Sequence, residues 1–492
     1  MLRSGPEYTL QRRYYDTFDW RLYRSGNVFE IDGQEPPVCR IRSLGKRGGQ
    51  FTTAIKQDPD FCWNFEQQDL GQYLEPIISV RRLLLQAEVR VSIEPIEVID
   101  ANGKVLLRLE LEKYLYPDRN GRYRSTLVNC KFNPLRGYGK VCKQLLELAE
   151  SETGTAGKIH DPFVSILTQE NITPADYSNK FKLTFDPELS IGQALAKTLL
   201  FHMGVIRQNL PGLKADLDTE FLHNFRTANR RSRTLITQLK HVLPPVKQRH
   251  YKAIFFWLSN KTSEHRDLDV FIHDIPHYMT MLPRNMRDDL EPLGRELEKR
   301  RKKAHARLLR LLNSEKFIRF EAEYQSFLVD GLDNHFRTET GQRPVTEIAS
   351  KSIWKVYKKL LKQGQIARST GDWVALHELR KIGKKLRYLL ETFRSLYPQK
   401  DVEQVATDCR KLQNLLGRIV DYRVQQNYLL GLTQGIGVKS RLPASTNACI
   451  KKLAVTYGKL EEKSYAKFED MFARFTDPKS QVQFRTLFKD TR

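Results

Sequence analysis

The segment LHNFRTANRRSR at residues 222–233 recurs 154 positions later as LHELRKIGKKLR at 376–387. His223 falls on His377, Arg226 on Arg380, Arg230 and Arg231 on Lys384 and Lys385, and Arg233 on Arg387. The offset persists without a gap to Asp267-Leu268-Asp269-Val270 over Asp421-Tyr422-Arg423-Val424. A constant offset over so long a stretch predicts two copies of one helical unit related by a pseudo-two-fold axis. At 100° per residue, His223, Arg226, Arg230 and Arg233 form one stripe about 15 Å long, with Arg231 to one side. Phe225, Ala228, Leu235, Ile236 and Leu239 fall on the opposite face, and the second copy repeats this with Leu379, Ile382, Leu386, Leu389, Leu390 and Phe393. Each helix should bury one face and show a cationic one. A solvated face normally mixes acids with bases, whereas like charges three and four apart repel unless an anion sits among them.

The bulk charge agrees. The chain carries 82 Lys+Arg and 58 Asp+Glu in 492 residues, a net of +24. Residues 1–189 hold 26 of each sign, so the whole excess lies in 190–492. A one-sided excess points to a polyanion: nucleic acid, an anionic membrane or a phosphate polymer. With 40% hydrophobic residues the chain is expected to bury cores, and it contains no apolar run long enough for a transmembrane helix. The N-terminus lacks the apolar stretch of a signal peptide, so a non-secreted protein is expected. Cys39, Cys62, Cys130, Cys142, Cys409 and Cys449 form no CxxC pair and no zinc spacing with histidine. They read as free thiols of a reducing cytoplasm.

The neutral half has β character to about residue 130. Alternating segments at Val38–Ser43, Gln50–Gln57, Glu88–Ile93 and Val105–Tyr114, with a hairpin turn at Asn102-Gly103, predict an antiparallel sheet or barrel. Helices are predicted near 138–150 and 162–170. From Ser190 helical periodicity dominates, interrupted at Leu210–Gly212, Pro244-Pro245, Pro283, Gly341–Pro344, Pro398 and Gly431–Pro443. The expected fold class is α+β: an antiparallel sheet or barrel domain over 1–185, then an all-α domain over 190–492 built from pseudo-symmetric bundles at about 190–340 and 341–492.

The histidine that opens each stripe suits a phosphate oxygen as a donor. No HxxH or HxxxH spacing favours a metal there. Asp267, Asp269 and Asp421 are expected to orient or partly neutralise the stripe arginines, or to cap helices. The KRRKK run at 299–303 reads as a solvated helix face.

At LHNFRTANRRSR, SEHRDLDVFI (263–272), LHELRKIGKKLRYLLETF and LQNLLGRIVDY (412–422) the sequence resembles the CHAD family, the conserved-histidine α-helical domain. That resemblance implies two pseudo-symmetric helical bundles that bind inorganic polyphosphate along a basic surface. It assigns this role to His223, Arg226, Arg230, Arg231, Arg233, His377, Arg380, Lys381, Lys384, Lys385 and Arg387. In the neutral half, Tyr14-Tyr15-Asp16-Thr17, Arg40-Ile41-Arg42, Lys56 and LRLELE at 107–112 resemble the CYTH, or triphosphate tunnel, family, which commonly precedes CHAD in bacterial proteins. Only thirteen residues precede Tyr14 and none form the family's ExExK strand, so the resemblance implies an N-terminally truncated, incomplete antiparallel β tunnel-like domain over 1–185. By resemblance Arg40, Arg42, Lys56 and Arg108 are candidate phosphate ligands. Glu110 and Glu112 are candidate ligands for Mg²⁺ or Mn²⁺, should the domain act as a triphosphatase.

The expected function is polyphosphate binding in the cytoplasm, in association with polyphosphate granules, with no cofactor needed for binding. The alternatives are a metal-dependent triphosphate or nucleotide phosphohydrolase and a nucleic-acid-binding protein. Stripes without interleaved aromatics for base stacking disfavour the latter.

Overall fold

Alternation places Leu10, Arg12, Tyr14 and Asp16 on one face of the strand Tyr8–Asp16, and in the computed structural model all four are buried. The structure describes residues 1–45, 49–117, 123–153, 161–434 and 442–490. They divide into two compact units, Met1–Ser178 and Asn179–Arg492.

The first unit is a curled antiparallel sheet of eight strands. These are β1 (Leu2–Ser4), β2 (Tyr8–Asp16), β3 (Asn27–Asp32), β4 (Val38–Ser43), β5 (Gly49–Ala54), β6 (Leu84–Ile99), β7 (Val105–Pro117) and β8 (Tyr123–Pro134). The order is β5-β4-β3-β2-β6-β7-β8, with β1 also paired to β6. The hairpin expected at Asn102-Gly103 joins β6 to β7, with Gly103 at φ 78° and the Asp100 N–H donating to the Lys104 carbonyl. Four helices accompany the sheet: α1 (Arg21–Arg24), α2 (Gln68–Ile78), α3 (Gly139–Thr153) and α4 (Pro162–Gln169). One apolar face of β3 and β4 (Phe29, Ile31, Cys39, Ile41) packs on Leu70, Leu74 and Ile78 of α2. Against the other face sits α4, whose Phe163 stacks on Tyr14 with ring centroids 4.8 Å apart.

The second unit is all-helical, and its elements repeat. The first copy contains α5 (Ile191–Lys214), α6 (Thr219–Gln238), α7 (Pro245–Lys261), α8 (Ser263–His273), α9 (Ile275–Met281), α10 (Glu291–Leu312), α11 (Glu315–Asn334) and α12 (Glu339–Gln342). The second contains α13 (Val345–Thr370), α14 (Trp373–Phe393), α15 (Gln399–Thr433), α16 (Ala444–Tyr465), α17 (Phe468–Phe475) and α18 (Pro478–Phe488). The starts of α5, α6 and α7 lie 154 residues before those of α13, α14 and α15, and α10 lies 153 before α16. The long α15 replaces the α7–α8 pair.

The copies meet at equivalent residues. Ser190 bridges Pro344; the Ile191 N–H donates to the Arg343 carbonyl and the Val345 N–H to the Leu189 carbonyl, both at 2.8 Å. Ser190 and Pro344 are 154 positions apart, and the same offset exchanges the two hydrogen bonds, carrying Ile191 onto Val345 and Leu189 onto Arg343, as a local two-fold requires. Gly192 permits this approach, because a Cβ there would stand 2.8 Å from the Gly341 carbonyl oxygen. Ser190 also caps α5, accepting from the Gln193 N–H at 3.2 Å. Beyond the junction Leu268, Phe271, Tyr278 and Leu293 share one core with Leu429, Cys449, Ile450 and Leu453 of the other copy.

All the residues assigned to the apolar faces of α6 and α14 are buried. The interruption expected at Leu210–Gly212 is absent: α5 continues through Pro211 to Lys214. Gly212, followed by tight packing on Phe221, serves helix contact there and not a turn. Among the described residues no helix is long and apolar enough to cross a membrane.

Candidate anion-binding site

The two cationic helices, α6 and α14, pack on one another. The charge of Arg230 bears directly on Lys384, and that of Arg233 on Lys385. The structure therefore merges the stripes into one basic surface. Arg266 of α8 acts on His223 and Arg226, and Lys359 of α13 on Lys385. Neither was signalled by the repeat, because their positions one copy away are Val420 and Val205.

Carboxylates offset part of the charge. Glu391 lies 3.0 Å from Arg231 and 3.2 Å from Arg387, Asp421 2.8 Å from Arg380, and Glu378 2.6 Å from Lys381. The surface is thus less free of acids than the helical projection implied. Asp421 neutralises a stripe arginine as expected; Asp269 does not, being turned to Arg301. Arg226 is held by neutral groups, donating to the Ser259 carbonyl at 2.8 Å and to the hydroxyls of Thr262 and Ser263. Arg233 lies over the Phe256 ring, 4.9 Å from its centroid. The side chains of Arg230, Lys384 and Lys385 have no ion pair or hydrogen-bond acceptor among the described residues.

The titration of these groups records an unbalanced field. Burial, then Arg380 and Arg230, push the Lys384 ammonium down to about 7 from an ordinary 10.5. Burial and Arg230 bring Arg226 down to about 10. Lys385, Arg233, His223 and His377 are lowered too, each chiefly by burial. The Nε atoms of Arg226, Arg231 and Arg380 and the Nδ1 of His377 are buried without a hydrogen-bond partner. Unspent donors in a field that disfavours cations are what an incoming anion would satisfy.

The sheet unit departs from its expectations. Arg40 and Arg42 do face its concave side, but Arg40 pairs with Asp32 and Glu30, and Arg42 with Glu30 at 3.2 Å and Asp161 at 2.5 Å. Asp161 is also the N-cap of α4, accepting from the Phe163 N–H. Lys56 is 82% exposed beside Glu66, and Arg108 is 63% exposed beside Glu97, so neither joins the concave cluster. Glu112 is not a free metal ligand: it accepts from Arg12 at 2.8 Å and Lys131 at 2.6 Å, and these cations hold it down to about 2 against its burial. Glu110, two residues earlier on the same face of β7, lies opposite Pro95 and Lys131 in the ladder. The missed residue is Arg12, fully buried and bonded to Asp32, Glu112 and the Tyr114 hydroxyl. With α4 seated against it, this face is a packed, charge-compensated interior and not an open phosphate channel. The Tyr-Tyr-Asp-Thr segment is structural: Asp16 accepts the N–H groups of Thr17, Leu22 and Tyr23.

The family model for the CHAD domain matches residues 197–430. Among solved structures the chain is similar to the crystal structure of the CHAD domain from the plant Ricinus communis, with 20% identity over 64% of this chain and 97% of that one, TM-score 0.46. It is also similar to PptA from Streptomyces chartreusis, with 13% identity over 58% of this chain and 99% of that one, TM-score 0.45. No curated protein matches the chain.

Proposed function

We propose that the helical unit, whose residues 197–430 match the family model for the CHAD domain, binds inorganic polyphosphate on the surface shared by α6 and α14. The observation that carries this reading is the juxtaposition of Arg230 and Lys384, equivalent cations that bear on one another and make no direct ion pair among the described residues. A linear chain of phosphates with no bases offers such a surface regularly spaced charge and acceptors for arginine forks and lysine ammonium groups. Recognition is electrostatic and needs no metal. Mg²⁺ or Mn²⁺ enters only under the alternative that the sheet unit acts on triphosphates, which the charge-compensated interior disfavours. The reading places the protein in the cytoplasm, at polyphosphate granules.

Long-chain polyphosphate, tripolyphosphate and duplex DNA, titrated against the whole protein at several salt concentrations, test it. Long polyphosphate should bind most tightly, with affinity falling linearly in log salt. Displacement of polyphosphate by DNA at equal phosphate concentration would favour the nucleic-acid reading instead.

The depressed Lys384 adds a pH dependence. Bound phosphates restore the ammonium toward its ordinary 10.5, so binding takes up a proton wherever the free site is neutral. Affinity is therefore complete below pH 7 and should fall by up to about tenfold per unit as pH rises above it. The two stripe histidines sit below their ordinary 6.5 and add nothing there. Lys384→Arg, charged throughout, should flatten the profile between pH 7 and 9. An unchanged slope in that variant would show that another group titrates.

A further inference from the structure

The KRRKK run is not wholly a solvated face. Arg301 turns inward and donates to both oxygens of Asp216, at 2.6 and 2.7 Å, and from its Nε to Asp269 at 2.7 Å. One turn further along α10 is His305, and facing it from α8 is His265, with ring centroids 5.4 Å apart. His265 and Asp269 are four apart on α8, as are Arg301 and His305 on α10, so each helix presents two members of the group on one face. Asp216 completes it from the α5–α6 connection.

We propose that Asp216, His265 and His305 form a binding site for a divalent transition-metal ion of the Zn²⁺ class. Their ligand atoms lie within 4.8 Å of one another, and tetrahedral zinc would draw them to about 3.4 Å. His265 is 2% exposed, and neither of its ring nitrogens has a hydrogen-bond partner. A neutral imidazole must donate one proton and accept another, so both needs are unmet in a dry place. The Nδ1 of His305 and one oxygen of Asp269 are likewise buried and unpartnered. Arg301 fills the outer shell, fixing the Asp216 carboxylate while leaving its remaining lone pairs free.

The fold does not demand this cluster. At the corresponding positions the second copy has Thr370, Ile419 and Arg423 and, in the burial register of α16, Ala454 and Gly458. The same helix packing there is achieved without histidine or aspartate. The metal site is thus an addition to one copy.

Whole protein, free of polyphosphate and of any histidine tag, stripped with chelator and titrated with Co²⁺, tests the proposal. One equivalent should bind with visible absorption bands of a nitrogen- and oxygen-ligated ion, and Zn²⁺ should displace it. His305→Gln and Asp216→Asn should each weaken binding by more than the roughly 10–100-fold typical of losing an outer-shell partner. Far-UV circular dichroism of the metal-free variants confirms folding, and Asp216, outside the helices, is the safer of the two. Absence of a stoichiometric visible band in the unmodified protein would overturn the proposal, as would unchanged spectra and affinity in both variants.

Discussion

Replacing Arg230 and Lys384 together by methionine should lower the affinity for long polyphosphate about a thousandfold and raise the melting temperature of the free protein. A hydrogen bond to a charged group contributes about 1.5–3 kcal/mol, so two lost contacts amount to roughly three decades. The slope of log affinity against log salt should flatten by nearly two ions, one for each phosphate no longer neutralised. Methionine keeps the aliphatic stem, so packing is little changed and charge is the main variable. The stability sign follows from Lys384, whose pKa in the folded protein is about 7 against an ordinary 10.5. A base lowered on folding opposes folding progressively as pH falls from 10.5 toward 7, and fully below that. The melting gain should therefore be largest at pH 6 and fade in alkali. Arg231→Met offers the contrast, because it removes a cation already paired with Glu391 at 3.0 Å. It should cost less affinity and give no gain in stability. If the double variant binds as the parent does, the anion lies elsewhere on the basic unit.

Why those residues were legible in the sequence, while others were not, has a physical basis. A helix that buries one face and repels along the other leaves a 3.6-residue signature, and duplication printed it twice. The helical character of 222–233 and 376–387 and the buried apolar residues from Phe225 to Phe393 follow from that. The strand Val38–Ser43 and the turn at Asn102-Gly103 were equally plain. The concave face of the sheet was not, because it is lined by Arg12, Glu30, Asp32 and Glu112, which alternation assigns to solvent. Charges that compensate one another in space give no hydropathy signal along the chain. The same holds for Asp216, His265 and His305, which are brought together from three elements. His265 pairs in sequence with an aspartate and His305 with an arginine, and neither spacing resembles a familiar ligand motif. Pro211 misled in the opposite direction: α5 carries it through without ending.

Arg12→Ala should destabilise the sheet unit by about 3 kcal/mol or more, since it removes one partner of a buried ionic network and leaves the other charges behind. Arg12 on β2 reaches Glu112 on β7 with β6 between them in the sheet order, so this guanidinium ties the curl of the sheet across its concave side. Its loss leaves Glu112 with Lys131, and Asp32 with Arg40, each exchanging a fully buried donor for a partly exposed one. Glu112 supplies the pH test. Its folded pKa of about 2, against an ordinary 4.5, contributes stability that is present above 4.5 and lost as pH falls through 2. Without Arg12 that depression shrinks and burial acts unopposed, so the gap between parent and variant should be widest above pH 5 and close toward pH 2, where the carboxyl is protonated in both. Amide hydrogen exchange reads the effect locally: protection should fall in β2 and β7 and stay unchanged in α6 and α14. Polyphosphate affinity should be unaltered, because the basic surface belongs to the helical unit. A variant whose β2 and β7 protection equals the parent's at pH 7 would mean that Lys131 and Arg40 suffice to hold the interior, and that Arg12 is redundant in it.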